Sequence, residues 1–178
     1  MSALAGRFDV KVPSLYSHLK NSQDLRVRIA LFALEELADR VADAIAGRAG
    51  RDALAAFADA YREYAREHPG RYAVARLRLG PETAAASAGG RHARMARAIL
   101  RGYDLDEPDA THAVRMLGSV VHGYVSLELA GGFEHSVPPR RNPGIGSWIR
   151  STRCYATTAL ADPRTAAPPQ AVRCVARR

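Results

Sequence analysis

Apolar residues recur at three- to five-residue steps along most of this chain, and this spacing constrains the fold more than any other feature. It places the apolar side chains on one face of an α-helix, whereas a half-buried strand would alternate apolar and polar residues. Nothing in residues 1–135 shows such alternation. The sequence therefore predicts an all-α fold, in which an N-terminal helical hairpin precedes an antiparallel helical body.

Start and stop signals divide this pattern into helices. Ser22 is predicted to cap a long helix that Gly47 and Gly50 end, because hydroxyl side chains favour N-caps and glycine favours the residue after a helix. Residues 82–90 are small and Ala-rich and give no clear prediction. Later helices are predicted over residues 52–67, 71–79, 91–103 and about 109–130.

Residues 4–19 carry the pattern with the most specific mechanism. Two helices of under three turns are predicted, with a break from Asp9 to Lys11 between them. Asp tolerates the left-handed conformation that a sharp turn needs, and Pro13 suits the first turn of the second helix. This is helix-turn-helix geometry, whose second helix can lie in a DNA major groove. The small core between the helices is expected to contain Leu4, Phe8, Val10, Leu15 and Leu19.

Two interpretations of this hairpin remain open. In one, it packs on the rest of the chain as an ordinary surface element. In the other, the small or hydrogen-bonding side chains on or beside its second helix contact phosphates and base edges. The candidate DNA-binding residues are Lys11, Val12, Pro13, Ser14, Tyr16, Ser17, His18 and Lys20.

The net charge of +8 does not by itself indicate a DNA-binding surface. Residues 140–178 hold eight arginines and one acid, whereas residues 1–139 hold 18 basic and 17 acidic residues. The charge therefore belongs to a basic, proline-rich tail, residues 136–178, which the composition separates from the rest. No run of 18 apolar residues and no signal peptide is recognised, so a cytoplasmic protein without a membrane partner is expected.

Patterns for catalysis and metal binding are weak. Cys154 and Cys174 lack the spacing of zinc ligands, and the six histidines show no paired-ligand spacing. No Ser-His-Asp motif or glycine-rich phosphate loop is evident. We therefore expect no enzyme, no metal and no cofactor.

Two motifs resemble those of bacterial TetR/AcrR-type transcriptional regulators. The first motif comprises Leu4-Ala5, Phe8-Asp9-Val10, Ser14-Leu15-Tyr16-Ser17-His18-Leu19 and Asp24-Leu25. The second motif runs from Leu117 to Tyr124 and is similar to the family's WHG-type C-terminal domain, with Val121 at the Trp position.

The resemblance implies a helix-turn-helix region over residues 1–24 and a ligand-binding and dimerisation domain over residues 25–135. It further implies a homodimer that binds a palindromic DNA operator and responds to a small-molecule effector. The implied effector-site residues are Phe57, Tyr61, Tyr64, Tyr72, Arg76, Met95, Tyr103, Met116 and His122. Aromatic residues and Met at this spacing also serve as core filler. A seam at 4, 3, 4 and 3 residue steps predicts a dimer interface at Ala113, Leu117, Val120, Tyr124 and Leu127.

The chain departs from the family pattern in three respects. Family members usually have one more helix before the hairpin, and they commonly have Lys at the position of Ser22 and an aromatic residue at that of Leu19. They also end in an apolar helix, which residues 140–178 do not resemble. We interpret the tail as a frame-shifted version of that helix, because an adjacent codon reading permits an amphipathic helix there. A disordered basic tail is the alternative.

Three hypotheses for function follow. The first is a ligand-responsive repressor that binds DNA. The second is a truncated or frame-shifted family member without DNA-binding activity, which restoration of upstream codons would distinguish. The third is an all-helical interaction module or enzyme, which a monomeric state together with turnover of a substrate would favour.

Overall fold

The computed structural model describes residues 1–135 and 144–151, and these form an all-α fold, as the apolar spacing predicts. At most eight residues, 101–108, separate consecutive α-helices before residue 130. The helices are α1 (Ser2–Arg7), α2 (Val12–Tyr16), α3 (Ser22–Ile45), α4 (Gly50–Glu67), α5 (Pro69–Ala75), α6 (Pro81–Ala86), α7 (Gly89–Leu100), α8 (Asp109–Leu129) and α9 (Gly144–Ser151).

The central helix of the body is α4, which packs against α3, α5, α7, α8 and α9. Its alanines are buried on several sides, whereas charged residues such as Asp52, Glu63 and Arg66 remain exposed on the opposite face. Phe57, Tyr61 and Tyr64 project from it into the core beside Leu37 and Val41 of α3. The body is therefore a set of helices arranged around α4.

The N-cap of α3 is Asn21 rather than the predicted Ser22, which is the first residue of the helix. The Asn21 side-chain oxygen accepts a hydrogen bond from the Asp24 N–H at 2.9 Å. The Asp24 carboxylate in turn accepts a hydrogen bond from the Lys20 N–H at 3.0 Å. Asn21 is the cap because its side chain satisfies the N–H of Asp24 in the first turn, while Asp24 satisfies the N–H of Lys20 just before the helix.

Other boundaries differ from the predictions by a few residues. The break at His68 lasts a single residue, because Pro69 occupies the first turn of α5, where its missing N–H is not needed. Pro81 opens α6 in the same way, inside the range that gave no clear prediction. The helix predicted over residues 91–103 begins at Gly89 and tightens into a 3-10 turn after Leu100.

The tail contains one described helix, α9, which was not expected. Ile145 is buried against the core, and the Gly146 N–H donates a hydrogen bond to the Asp59 carboxylate of α4 at 2.8 Å. A β-carbon on Gly146 would lie only 2.6 Å from the Ala55 carbonyl oxygen, so glycine permits the close approach of the two helices. The disordered-tail and frame-shift interpretations of residues 136–143 and 152–178 concern chain outside the described residues.

Candidate functional site

Two short helices, α1 and α2, lie where the hairpin is predicted, although α2 ends at Tyr16, before Leu19. Four residues, from Phe8 to Lys11, join helices of six and five residues. Asp9 adopts the left-handed conformation at the turn, with φ of 51°. Pro13 lies in the first turn of α2, where its ring disrupts no helical hydrogen bond.

The predicted DNA-binding residues lie together on this hairpin and on the segment that follows it. Seven of the eight are exposed, and Val12 is half-buried. The Ser17 hydroxyl donates a hydrogen bond to the Ser14 carbonyl oxygen at 2.7 Å, which fixes one polar side chain of the set. Their contact with DNA is not tested by this geometry and stays a prediction.

The apolar core expected inside the hairpin is only partly formed. Leu4, Leu15 and Leu19 are half-buried, whereas Phe8 is 66% exposed and Val10 is 41% exposed. The expectation that Phe8 and Val10 close this core is therefore wrong for the described chain. Two helices this short do not present enough surface to enclose five apolar side chains.

Two tyrosine–histidine pairs lie at the centre of the body. The Tyr61 hydroxyl and His92 Nδ1 are 2.6 Å apart, and the Tyr72 hydroxyl and His122 Nδ1 are 2.5 Å apart. The rings of Tyr61 and His122 meet edge to face, with centroids 5.5 Å apart. Phe57 packs against Tyr61 at 4.8 Å between centroids. These five side chains form one aromatic cluster that connects four helices.

Burial shapes the protonation of this aromatic cluster. It lowers the pKa of both His92 and His122, because an imidazolium is poorly solvated in the core. Nearby Arg76 lowers the pKa of His122 further. Burial also raises the pKa of Tyr61, and it raises that of Tyr72 to about 12. The cluster is therefore neutral near pH 7 and offers hydrogen-bonding groups in apolar surroundings.

The structure brings some of the predicted effector-site residues together and separates others. Phe57, Tyr61, Tyr72 and His122 belong to the aromatic cluster, and Arg76 lies beside it, where it donates a hydrogen bond to the Ser126 hydroxyl at 2.6 Å. The remaining four lie elsewhere. Met95 and Tyr103 pack at the edge of the core, Met116 is 45% exposed on α8, and Tyr64 bonds to Glu36 at 2.8 Å.

His92 and the pair Arg62–Glu128 were not predicted. His92 lies three, four and seven residues before Met95, Ala96 and Ile99, which places it on the apolar stripe of α7. This spacing is the sequence feature that could have indicated its burial in the core. Arg62 and Glu128 form a bidentate ion pair with two N–O distances of 2.7 Å. They are 66 residues apart, and no local pattern connects them.

The predicted seam of α8 divides between two faces of the helix. Ala113 is buried in the core, and Leu117 and Tyr124 pack against it, so these three do not lie on an outer surface. Val120 and Leu127 are 45% and 54% exposed. The sequence indicated one apolar stripe, but α8 carries a second one that faces outward. We call it the outer stripe, and it comprises Met116, Val120, Gly123 and Leu127.

A separate polar groove of about 470 Å³ lies between α3 and α4, with Arg40, Arg48 and Glu63 among its lining residues. None of the predicted effector-site residues lines it. Within residues 1–135 and 144–151, no group of three or more His, Cys, Asp or Glu residues is arranged to hold a metal ion. The described helices also include none long and apolar enough to span a bilayer.

Comparisons with known proteins identify a family model that matches the helical body and relatives that match most of the chain. The family model described as tetracyclin repressor-like, C-terminal domain, matches residues 54–143. An HTH-type transcriptional regulator of Mycobacterium tuberculosis is 39% identical over 135 residues, which are 74% of this chain and 61% of the relative. An HTH-type transcriptional regulator of Bacillus subtilis is 31% identical over 134 residues, which are 75% of this chain and 70% of the relative. The alignment thus spans about three fifths of the first relative's length.

Proposed function

The chain belongs to the TetR family of transcriptional regulators, and from this premise we propose that it is a ligand-responsive repressor that acts in the cytoplasm. It binds a palindromic operator as a homodimer, and a small effector bound in the helical body releases it from DNA. Two half-sites one helical turn apart, about 34 Å, match the two-fold symmetry of such a dimer.

The exposed polar face of the hairpin carries this proposal. Tyr16 is the last residue of α2 and Lys20 follows it, and both are exposed beside a helix that this geometry places in the major groove. Tyr16 can contact a base edge or a phosphate through its hydroxyl, and Lys20 supplies a cation for a phosphate oxygen. The basic excess of residues 140–178 is not needed for this contact.

The test is operator binding by Tyr16→Ala and Lys20→Ala. The DNA is a duplex selected by the protein itself from a random library, and binding is measured by gel shift at fixed salt. Loss of a phosphate contact at Lys20 weakens binding to all sequences and lowers the salt slope by about 0.9. Loss of a base contact at Tyr16 costs about 1–3 kcal/mol and relaxes sequence preference.

Arg101→Ala is the matched control for charge, because Arg101 is exposed at the end of α7 and far from the hairpin in sequence. It is expected to bind DNA like the parent protein. If Tyr16→Ala and Lys20→Ala also bind like the parent, the hairpin is not the DNA-reading element and the proposal fails.

The outer stripe of α8 is the proposed dimer interface. Its steps of four, three and four residues suit packing along a second helix. A β-carbon built on Gly123 meets nothing within 4 Å, so a partner helix can approach closely at that point. Isologous pairing of α8 with α8 would bury Val120 and Leu127, which are exposed in one chain.

Light scattering of Val120→Glu and Leu127→Glu tests this interface. A carboxylate in an apolar contact opposes association, so both variants are expected to be monomeric. Ala93→Glu, at an exposed alanine of α7, is the control and keeps the parent's mass. A dimer that survives both α8 substitutions would place the interface elsewhere.

The aromatic cluster is the proposed effector site. Tyr61 and Tyr72 are buried, so an effector that reaches His122 has to displace at least one of these rings. Neutral rings with hydroxyl and imidazole groups suit a small, largely apolar molecule with one or two hydrogen-bonding groups. The test is a thermal-shift screen of small aromatic alcohols and acids against the parent protein, Tyr72→Leu and, as the control, Tyr103→Phe.

An effector present at a hundred times its Kd raises stability by about 2.7 kcal/mol. The shift is expected for the parent protein and Tyr103→Phe and is expected to be absent for Tyr72→Leu. The same compound must weaken operator binding. A stabilising compound with equal effect on all three proteins would place its site away from the cluster.

A further inference from the structure

A continuous line of contacts crosses the apolar body from α3 to α5. The Leu34 carbonyl oxygen of α3 and His92 Nε2 of α7 are 3.0 Å apart. His92 Nδ1 continues to the Tyr61 hydroxyl of α4, and the Tyr61 ring meets His122 of α8. His122 in turn bonds to the Tyr72 hydroxyl of α5. His92 is the only member of the aromatic cluster for which a bond to α3 is described.

The two bonds of His92 define its protonation. A carbonyl oxygen only accepts, so Nε2 must carry the hydrogen that bonds to Leu34. In the neutral ring Nδ1 then has no hydrogen, and the Tyr61 hydroxyl donates to it. A second proton on Nδ1 would remove the acceptor of the Tyr61 hydroxyl, which would have to turn, and would place a cation in the core, so the arrangement favours the neutral ring.

The helix held by this contact is the one that follows the hairpin directly. Asn21 caps α3, and the Lys20 N–H bonds to Asp24 in its first turn, so the end of the hairpin is joined to the start of α3. The other described polar contacts between α7 and α3 are the exposed pairs of Arg91 with Glu35 and Asp39. Exposed ion pairs contribute little, so the buried His92 contact is the main polar contact between α7 and α3. Glu36 of α3 is bonded separately by Tyr64 of α4 and Arg71 of α5.

We propose that His92 is a positioning residue that joins α7 to α3 through the Leu34 carbonyl and passes rearrangement of the aromatic cluster to the hairpin. An effector that displaces Tyr61 removes the donor to Nδ1 and frees the ring to turn. The ring then loses its bond to α3, and the position of the DNA-reading hairpin changes with that helix. This inference rests on the proposed function and names the residue that connects its two sites.

A proton can replace the unidentified effector as a probe, because a proton on Nδ1 removes the acceptor of the Tyr61 hydroxyl, and displacement of Tyr61 would break the same bond. The charged and titratable groups that face it are Glu35 of α3, Tyr61 of α4, Arg91 of its own helix and His122 of α8. Burial is the largest cause of its lowered pKa, and Arg91 adds to it, whereas Glu35 and the Leu34 bond act in the opposite direction.

The experiment measures hydrogen exchange of the α3 amides in the full chain without DNA, at about pH 7.5 and about pH 5.0, each corrected for the intrinsic exchange rate. In the parent protein, protection of residues 26–38 is expected to fall at least about threefold at the lower pH. His92→Gln keeps an amide donor and acceptor and does not titrate, so its protection is expected to fall much less than the parent's, with only the contribution of His122 remaining. His92→Leu lacks both bonds, and its protection is low at both pH values.

Two other histidines supply matched controls. His112→Gln changes an exposed histidine of α8, and His68→Gln changes one that lies 3.4 Å from Arg40 of α3. Both variants are expected to lose protection like the parent. Equal loss of protection in the parent and in His92→Gln overturns the proposal, and this comparison holds even if His92→Leu fails to fold.

Because no DNA is present, this result is separate from the proposed function. Failure of the parent protein to bind any selected duplex would refute the repressor proposal and leave the exchange result intact. Constant protection of α3 in a parent protein that does bind DNA would refute the role of His92 alone. Both measurements therefore give a decisive outcome.

Discussion

The ion pair between Arg62 and Glu128 gives the sharpest stability prediction. Both side chains are almost fully buried, 8% and 2% exposed, and two hydrogen bonds of 2.7 Å join them. The hydrogen bond to Glu128 raises the pKa of Arg62, so the guanidinium stays charged at neutral pH. Removal of one partner leaves the other charge in the core without its bidentate contact, which costs about 3–5 kcal/mol.

A double-mutant cycle measures this effect. Arg62→Met and Glu128→Leu are each expected to lower the melting temperature by roughly 6–20 °C, at 2–4 °C per kcal/mol for a chain of this size. Glu128→Leu is expected to be the milder of the two, because Asp59 also lies near the Arg62 guanidinium. The double variant, with two apolar side chains in contact, is expected to lie within about 1 kcal/mol of the parent.

Thermal unfolding gives the melting temperatures, urea unfolding at fixed protein concentration gives the free energies, and the exposed pair of Arg91 with Asp39 is the control. Its side chains are 37% and 67% exposed, so Asp39→Asn is expected to cost under about 1 kcal/mol. Single substitutions at Arg62 and Glu128 that each cost less than 1 kcal/mol would refute the argument from burial. So would a double variant whose loss equals the sum of the two.

Two further predictions concern helix packing and pH. Gly146→Ala places a β-carbon against the Ala55 carbonyl and is expected to lower the free energy of unfolding by about 1–3 kcal/mol. On α8, Gly118→Ala meets nothing within 4 Å and is expected to raise it by about 0.5–1 kcal/mol. Urea unfolding that ranks the two variants in the opposite order contradicts the packing of α9. His92 and His122 have lowered pKa values in the folded protein, so the unfolded chain binds more protons below about pH 6.5. The free energy of unfolding is therefore expected to fall from there toward pH 5, by about 1.4 kcal/mol for each pH unit by which a pKa is lowered. Stability that stays constant between pH 6.5 and 5 would contradict the burial of these rings.

Local patterns were sufficient for most of the fold. Helical spacing located α3, α4, α7 and α8, because each buries an apolar stripe whose period is independent of its partners. The cap of α3 was misplaced by one residue, since Asn21 and Ser22 are both good caps and the bond from the Asp24 N–H to the Asn21 side chain decides between them. Short helices such as α6 depend on a proline start rather than on spacing.

The faces of α8 and the members of the aromatic cluster required tertiary structure. Apolar residues surround most of α8, so spacing alone could not tell the side of Ala113 from that of Val120. Tyr61, Tyr72 and His122 were predicted as candidates, but their pairing depends on how α4, α5 and α8 pack. The bond from His92 to Leu34 joins residues 58 positions apart, and the sequence holds no trace of it.

The small size of the hairpin has a consequence for handling the protein. Helices of six and five residues are not stable alone, because nucleation costs more than so few hydrogen bonds return. Residues 1–20 can therefore open locally while the body around α4 stays folded. Under brief digestion, trypsin is expected to cut after Arg7, Lys11 or Lys20 before it cuts within α3 to α8, and the fragment that begins near α3 should keep its helical signal.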